Sequence, residues 1–473
     1  MPGHRSGRSW PSSIRSQLAS LDTTELPTTD DLHQPAGPAR AAMELAAAFF
    51  GAGRTWFLTN GATGGLLALF TGLVGRGRKV ILPRTSHLAV SHALALLDLV
   101  PVWLEFDETA SRPFAFLPPV TAESVAAAVA RHPDSAVVFL TSPDYYGCTA
   151  DLAAIARVAH QAGMLLLVDE AHGAHLAAAP DLLPPTALAC GADACVQSAH
   201  KTLPALTQGA FLHLAPAKAA DEEAVSRLNA AVRIFQTSSP SFAIAASLDL
   251  ARAWLEQSGH GLIERLLTQI DRLATRLEPD FLVTPATRDL ADGLVRDPTR
   301  LVLRPLAWPG RTAVELAGYL SRLGIDVEMA DLTRLILIPA LDQPPRDFSR
   351  LARQLTELSR TAPEPDRPAV SPQTVAALEQ SFRQALVRPP VRALPAGSVF
   401  PGCAGCSPAV QSVPLRQADG RIAARLVAAY PPGIPLLLPG ERFSRDLIDL
   451  LAQLRDNNLN LTGVTEDQVQ VIA

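Results

Sequence analysis

Between residues 54 and 215, short runs of aliphatic and β-branched residues alternate with segments whose apolar positions recur at helical spacing. The runs are Trp56–Thr59, Lys79–Leu82, Val100–Glu105, Ala136–Thr141, Met164–Asp169, Ala194–Ser198 and Gly209–Leu214, and each reads as a strand. A glycine closes the helical pattern before one of them, in His160-Gln161-Ala162-Gly163. Nearly continuous apolar strands separated by helices predict an α/β fold, a mostly parallel sheet covered on both faces. Such sheets bind ligands beyond the carboxyl ends of their strands. That rule gathers Asn60-Gly61, Thr141-Ser142, Asp169 and Ser198–Lys201 around one crevice. Two helical segments are predicted from Ser241 to Leu277, then a smaller α/β unit over 280–360 with strands near Leu301–Leu303 and Leu335–Ile338. Thr361–Pro372 is polar and proline-rich, as a linker would be. The last hundred or so residues contain Tyr430-Pro431-Pro432-Gly433-Ile434-Pro435, which cannot be helical.

Composition narrows the function. The 473 residues suffice for two or three domains with substantial cores. A net charge of -5 with no basic stripe argues against nucleic-acid binding. Five cysteines make no disulfide framework, which suits a reducing, cytoplasmic setting. The basic start MPGHRSGRSWPSS is followed by no apolar signal core, and no apolar run approaches membrane-spanning length.

The chemistry concentrates at the predicted strand ends. Lys201 closes an apolar run, where burial disfavours its ammonium form and leaves a nucleophilic amine. Ser198 and His200 beside it supply donors suited to a phosphate, and Asp169 ends another apolar strand. A lysine, an aspartate and phosphate donors on neighbouring strand ends are what pyridoxal phosphate requires. The plain alternative for Lys201 is a helix cap or a surface ion pair. Asp169–His172 also spells D-E-A-H, a nucleotide-hydrolase box, yet no phosphate loop of the type G-x-x-x-x-G-K-[ST] is present. Cys403-Ala404-Gly405-Cys406 is a lone C-x-x-C without the second ligand pair that zinc requires, so no metal is expected.

Taken together, these residues resemble the Orn/Lys/Arg decarboxylases, which are fold-type I, aspartate-aminotransferase-like enzymes. The cofactor-lysine signature is Ser198-Ala199-His200-Lys201-Thr202 through Gln208. Co-linear matches are Pro2-Gly3-His4, Asp22–His33, Thr59-Asn60-Gly61, Val168–His175, Gln236–Ser241 and Tyr430–Glu441. The resemblance is to the short form without an N-terminal wing domain. It implies an N-terminal arm over 1–45, a large cofactor-binding domain over 46–245 and a small domain over 246–360. A linker over 361–375 and a C-terminal domain over 376–473 complete the expected division. It further implies pyridoxal 5'-phosphate bound as a Schiff base on Lys201, with Asp169 at the pyridine nitrogen and His87 stacked on the ring. His172 would lie near the ring, and Gly61, Ala62, Thr63, Ser198 and His200 would hold the phosphate. Thr237–Ser239 would either reach a neighbouring subunit's phosphate or form a capped turn before the helix from Ser241. The expected reaction is decarboxylation of arginine, lysine or ornithine in a homodimer or higher oligomer, with Asp144 and Glu441 as candidates for the substrate's distal cation. An aminotransferase, aldolase or desulfurase, or a degenerate regulatory homologue, are the alternatives. Two departures motivate the last: Ala62 stands where the family often has serine, and Leu88-Ala89 where it commonly has lysine and serine.

Overall fold

The computed structural model describes residues 12, 23, 25–26, 28–106, 114–117, 120–278, 280–289, 295–306, 312–361, 371–399, 408–430, 434–457 and 459–473. Pro2-Gly3-His4, most of the expected linker, Cys403–Cys406 and Pro431-Pro432-Gly433 lie outside the described residues. Helix α1 (Pro38–Phe50) leads into a sheet made of the seven predicted strands: β1 (Arg54–Leu58), β2 (Lys79–Leu82), β3 (Val100–Trp103), β4 (Val137–Thr141), β5 (Leu165–Asp169), β6 (Ala194–Gln197) and β7 (Ala210–Leu214). Their spatial order is β1-β7-β6-β5-β4-β2-β3. Strands β2 to β6 pair in parallel, and β7 runs antiparallel to both β6 and β1. The carboxyl ends of β1, β2, β4, β5 and β6 therefore share one edge with the amino end of β7.

Strand alternation explains the two covered faces. Val80, Leu82, Val137, Phe139, Leu167, Val196 and Leu212 pack with Leu66, Val90 and Leu228 on α2 (Gly61–Leu69), α3 (Leu88–Leu96) and, further along, a helix over Glu222–Phe235. Ile81, Val138, Leu140, Leu166, Val168 and Cys195 point the other way, onto Val125 of α4 (Ala122–Arg131) and Ile155 of α5 (Leu152–Gln161). Helix α5 ends as its sequence predicts: Gly163 takes φ 71°, a left-handed conformation that costs glycine little. A one-turn helix, α6 (Ala199–Thr202), follows β6 directly, and α7 (Glu222–Phe235) returns over the sheet.

One expectation is corrected. Ser241–Leu277 forms a single 36-residue helix, α8 (Phe242–Leu277), rather than two segments. The Ser258-Gly259-His260-Gly261 stretch looks like a break. However, Leu248, Leu255, Gly259, Ile263, Leu266, Ile270 and Leu273 keep one buried stripe at helical spacing straight through it. Gly259 sits in that stripe because a side chain there would meet the Ala178 Cβ at 2.7 Å.

The smaller unit is an antiparallel sheet ordered β10-β11-β9-β8, from β8 (Phe281–Val283), β9 (Leu301–Pro305), β10 (Met329–Ala330) and β11 (Leu335–Leu337). Helices α9 (Ala313–Arg322) and α10 (Pro345–Thr361) cover it and share a core with α1 and α8. Thr312 and Glu315 close a capping box at the start of α9. After α11 (Pro372–Val387), the C-terminal residues pair as two three-stranded sheets around α12 (Arg445–Asp456). Ile434–Leu437 of the proline-rich segment is one of those strands, paired with Val427–Tyr430.

Candidate active site

The shared strand edge encloses a cavity of about 330 Å³, lined by residues from six strand ends, five carboxyl ends and the amino end of β7. Its walls include Gly61, Ala62, Thr63, His87, Asp169, His172, Ser198, His200 and Lys201. Parallel strand order brings Asp169 and Ser198 side by side, because β5 and β6 are adjacent and end there. The antiparallel β7 returns the chain to the same edge at Gln208, whose Nε2 donates to the Thr59 carbonyl at 2.7 Å beside α2.

Lys201 is half-buried. Nζ is 3.2 Å from His172 Nε2 and 5.8 Å from the centre of the Tyr145 ring. Burial pushes the Lys201 amine below its ordinary range, against the pull of Asp169 and Glu328. Asp169 is 2 % exposed, and its carboxylate accepts from the Ala171 N–H at 3.1 Å. Burial raises its pKa, while His87 and Lys201 act to lower it. His172 is held well below the ordinary histidine range by burial and then by the positive charges of Lys201 and Arg300. His87 is the N-cap of α3, accepting from the Ala89 N–H at 3.1 Å, and burial lowers its pKa too. Both rings are therefore neutral near pH 7.

The opposite end of the cavity suits an anion. Helix α2 begins at Gly61 itself. The N–H groups of Gly61, Ala62 and Thr63 precede its first intrahelical bonds, and the helix dipole favours negative charge there. Gly61 adopts φ 75°, which lets β1 turn directly into the helix. Ser198 Oγ lies 3.3 Å from His200 Nδ1, which is itself 3.2 Å from the Gly209 carbonyl. The buried Thr141 Oγ1, also on the cavity wall, finds no hydrogen-bond partner among the described residues. A buried carboxylate with no ion pair among the described residues, a depressed amine and an anion-binding helix start together fit pyridoxal 5'-phosphate.

Not every residue singled out from sequence converges here. Ala62 is on the wall without a hydroxyl. Leu88 begins α3 and is not among the lining residues, so no side-chain cation follows His87. Asp144 lines an adjoining cavity that shares Thr85, Thr141 and Tyr145 with this one. Its Oδ1 accepts from the Tyr146 and Cys148 N–H groups, and burial raises its pKa to about 6. Glu441 lies elsewhere: both its oxygens are taken by Arg84, at 2.8 and 2.6 Å, and it is 2 % exposed. Thr237, Ser238 and Ser239 are exposed beyond the cavity, ahead of the α8 cap at Ser241. Sequence reading missed Arg300 and Tyr145. Arg300 NH2 is 3.0 Å from His172 Nδ1, and the Tyr145 and His172 rings are 5.0 Å apart. For Arg300 the sequence shows only an arginine beside the apolar run Leu301–Leu303, with nothing that points to His172.

Among the described residues no cluster of metal-binding side chains is found, and no helix is long and apolar enough to cross a membrane. Residues 1–285 match the model of the Orn/Lys/Arg decarboxylase major domain, and 404–470 that of its C-terminal domain. An uncharacterized Bacillus subtilis protein, YaaO, is 33% identical over 98% of this chain and 92% of its own length. The arginine decarboxylase of the same organism is 29% identical over 100% and 93%. Lysine decarboxylase A from Pseudomonas aeruginosa superposes with a TM-score of 0.80 at 22% identity, over 100% of this chain and 78% of that one.

Proposed function

Because the chain belongs to the Orn/Lys/Arg decarboxylase family, whose members are pyridoxal-phosphate-dependent carboxy-lyases, we propose that it decarboxylates arginine with the cofactor carried on Lys201. The observation that carries this reading is the approach of Lys201 and Asp169 to one cavity from adjacent strand ends. Support for arginine over lysine comes from extent: relatives named arginine decarboxylase align over 92–93% of their length at 27–29% identity. Three relatives named lysine decarboxylase align over 71–73% of their length at 23–25%.

Each residue has a task its surroundings suit. Lys201 offers an amine whose charged form burial disfavours. Asp169 would face the cofactor's ring nitrogen, and a cation there restores the ionised carboxylate that burial alone opposes. Bound pyridoxal 5'-phosphate supplies the electron sink for the pair left on Cα when carbon dioxide departs. His87 and His172 are neutral and can flank the ring without competing for its charge. The N–H groups opening α2, with Thr63, Ser198 and His200, would hold the phosphate. Asp144, through the adjoining cavity, is the residue we retain for the substrate's distal cation. Buried surroundings favour loss of the carboxylate, whose charge disperses in the transition state.

The test uses purified protein with pyridoxal 5'-phosphate and, in turn, arginine, lysine and ornithine. Carbon dioxide and agmatine from arginine, at a higher kcat/KM than from the other two, are expected. Cofactor absorbance that Lys201→Ala abolishes, with no carbon dioxide from any of the three, would overturn the reaction and leave a binding-only protein, the reading that Ala62 favours.

A further inference from the structure

Three side chains from three parts of the fold are joined by two contacts: Arg300, just before β9; His172, after β5; and Lys201, on α6. Arg300 NH2 is 3.0 Å from His172 Nδ1, and His172 Nε2 is 3.2 Å from Lys201 Nζ. An arginine side chain has donors and no acceptor. Nδ1 must therefore accept, and the single proton of a neutral imidazole sits on Nε2. That proton points at Lys201 Nζ. The second contact is a hydrogen bond only if Nζ presents its lone pair, since an ammonium would set N–H against N–H. We infer that Arg300 is a positioning residue: it fixes the His172 tautomer and, through it, keeps Lys201 as the free amine that takes up the cofactor aldehyde.

The surroundings of each group bear on the balance. Asp169 from β5 and Glu328 ahead of β10 favour a charged Lys201, and so does the Tyr145 ring beneath Nζ. Burial and Arg300 oppose them. His172 faces Lys201, Arg300, His87 and His175, all positive or neutral, so nothing there encourages a second proton on its ring. With attraction and burial in competition, the direction of the hydrogen bond decides the state of the amine.

Arg300 is built into place at some cost. It is 1 % exposed, and its Nε and NH1 find no partner among the described residues. His172 takes the one hydrogen bond its guanidinium makes there. Its carbonyl accepts from Arg296 NH2 at 2.5 Å. Gly147, at φ 86°, leaves the space for its stem, since a Cβ there would meet the Arg300 Cβ at 2.7 Å. A buried guanidinium with two unpaired nitrogens is unfavourable on its own account. Its one side-chain hydrogen bond among the described residues is the one that reaches His172.

The inference rests on Lys201 being the cofactor lysine, but its test needs neither cofactor nor substrate. The cofactor-free protein is treated with a limiting acylating reagent across the range from about pH 6 to pH 10. Mass spectrometry of the Lys201 peptide then gives the midpoint of amine reactivity. Arg300→Lys keeps a donor-only group and should leave the midpoint in place. Arg300→Gln, which can accept as well as donate, and Arg300→Met should each raise it by about one pH unit, roughly a tenfold loss of reactive amine at neutral pH. His172→Phe should raise it similarly, and adding Arg300→Gln to His172→Phe should move it no further. Equal midpoints in wild type and Arg300→Gln would overturn the inference. So would an undiminished Arg300→Gln shift in the His172→Phe background, because Arg300 would then act by charge alone. If Arg300→Met fails to fold, Arg300→Gln and Arg300→Lys still decide. Loss of carbon dioxide release with these midpoints as expected would count against the proposed reaction and not against the relay.

Discussion

Ala62 is the residue where this chain's departure from its family has the most direct physical reading. It lies in the first turn of α2, on the cavity wall, where the exposed helix N–H groups already favour an anion. Serine there adds a hydroxyl donor to a site that would hold a phosphate. A hydrogen bond to a charged group contributes about 1.5–3 kcal/mol, so Ala62→Ser should tighten pyridoxal 5'-phosphate binding by about tenfold or more. Titrating the cofactor-free protein and following its absorbance measures this directly; unchanged affinity would place the phosphate away from α2. Residues of this kind were legible in the chain because their neighbours announce them. Lys201 and Asp169 each end an apolar run, and a charge at that point needs a reason. Arg300, Tyr145 and Arg84 were not legible, because their meaning lies in partners far away in sequence. Arg300 meets His172 across 128 residues and Arg84 meets Glu441 across 357. For the same reason Glu441 read as a substrate ligand, although Arg84 occupies it.

At the scale of elements, two glycines two residues apart in α8 should respond in opposite directions. A Cβ on Gly259 would lie 2.7 Å from the Ala178 Cβ and 2.9 Å from the Leu255 Cδ1, so Gly259→Ala forces α8 away from the 176–178 turn. Overpacking of that kind costs about 1–3 kcal/mol. A Cβ on Gly261 meets only the Arg265 NH1 at 3.4 Å, the end of a flexible side chain. Gly261→Ala should then stabilise by up to about 1 kcal/mol through helix propensity. Thermal melts of both variants check the pair, and a lower melting temperature for Gly261→Ala would mean that α8 is not a continuous helix there. The sheet was readable strand by strand since its strands, apart from the more exposed edge strand β3, are buried on both faces and read as apolar runs. The continuity of α8 was not, because glycine carries the same letter whether it breaks a helix or permits a close contact. Which it does depends on Ala178, on another element altogether.

Across the whole molecule, buried charges tie the C-terminal residues to the rim of the Lys201 cavity. Tyr146, beside Tyr145, donates to Asp331 at 2.8 Å; Arg334 then bridges Asp331 and Glu379, and Arg383 joins Glu379 at 2.7 Å. The second tie is tighter. Arg84 forms a two-bond pair with Glu441, reaches the Leu436 carbonyl at 3.0 Å and lies 5.1 Å from the centre of the Trp103 ring. Both partners are 2 % exposed, and Glu441 also accepts from the Leu438 N–H at 2.7 Å. Arg84 stands three residues before His87, in the loop whose Thr85 lines the cavity. Arg84→Met would leave Glu441 buried with one backbone donor, and breaking such a pair costs roughly 3–5 kcal/mol. Replacing both partners by apolar residues of similar volume is commonly close to neutral, so Arg84→Met with Glu441→Leu should recover most of that loss. Denaturant melts of the cofactor-free protein give the stability, and absorbance titration gives the cofactor affinity. Because Arg84 stands in the loop that carries Thr85 and His87 to the cavity wall, Arg84→Met should weaken cofactor binding, and the double variant should restore it together with stability. Recovery of stability without recovery of affinity would show that Arg84 positions His87 independently of Glu441. A loss no greater than a surface substitution, about 0.5 kcal/mol, would show that the pair does not hold the C-terminal residues to the cavity rim.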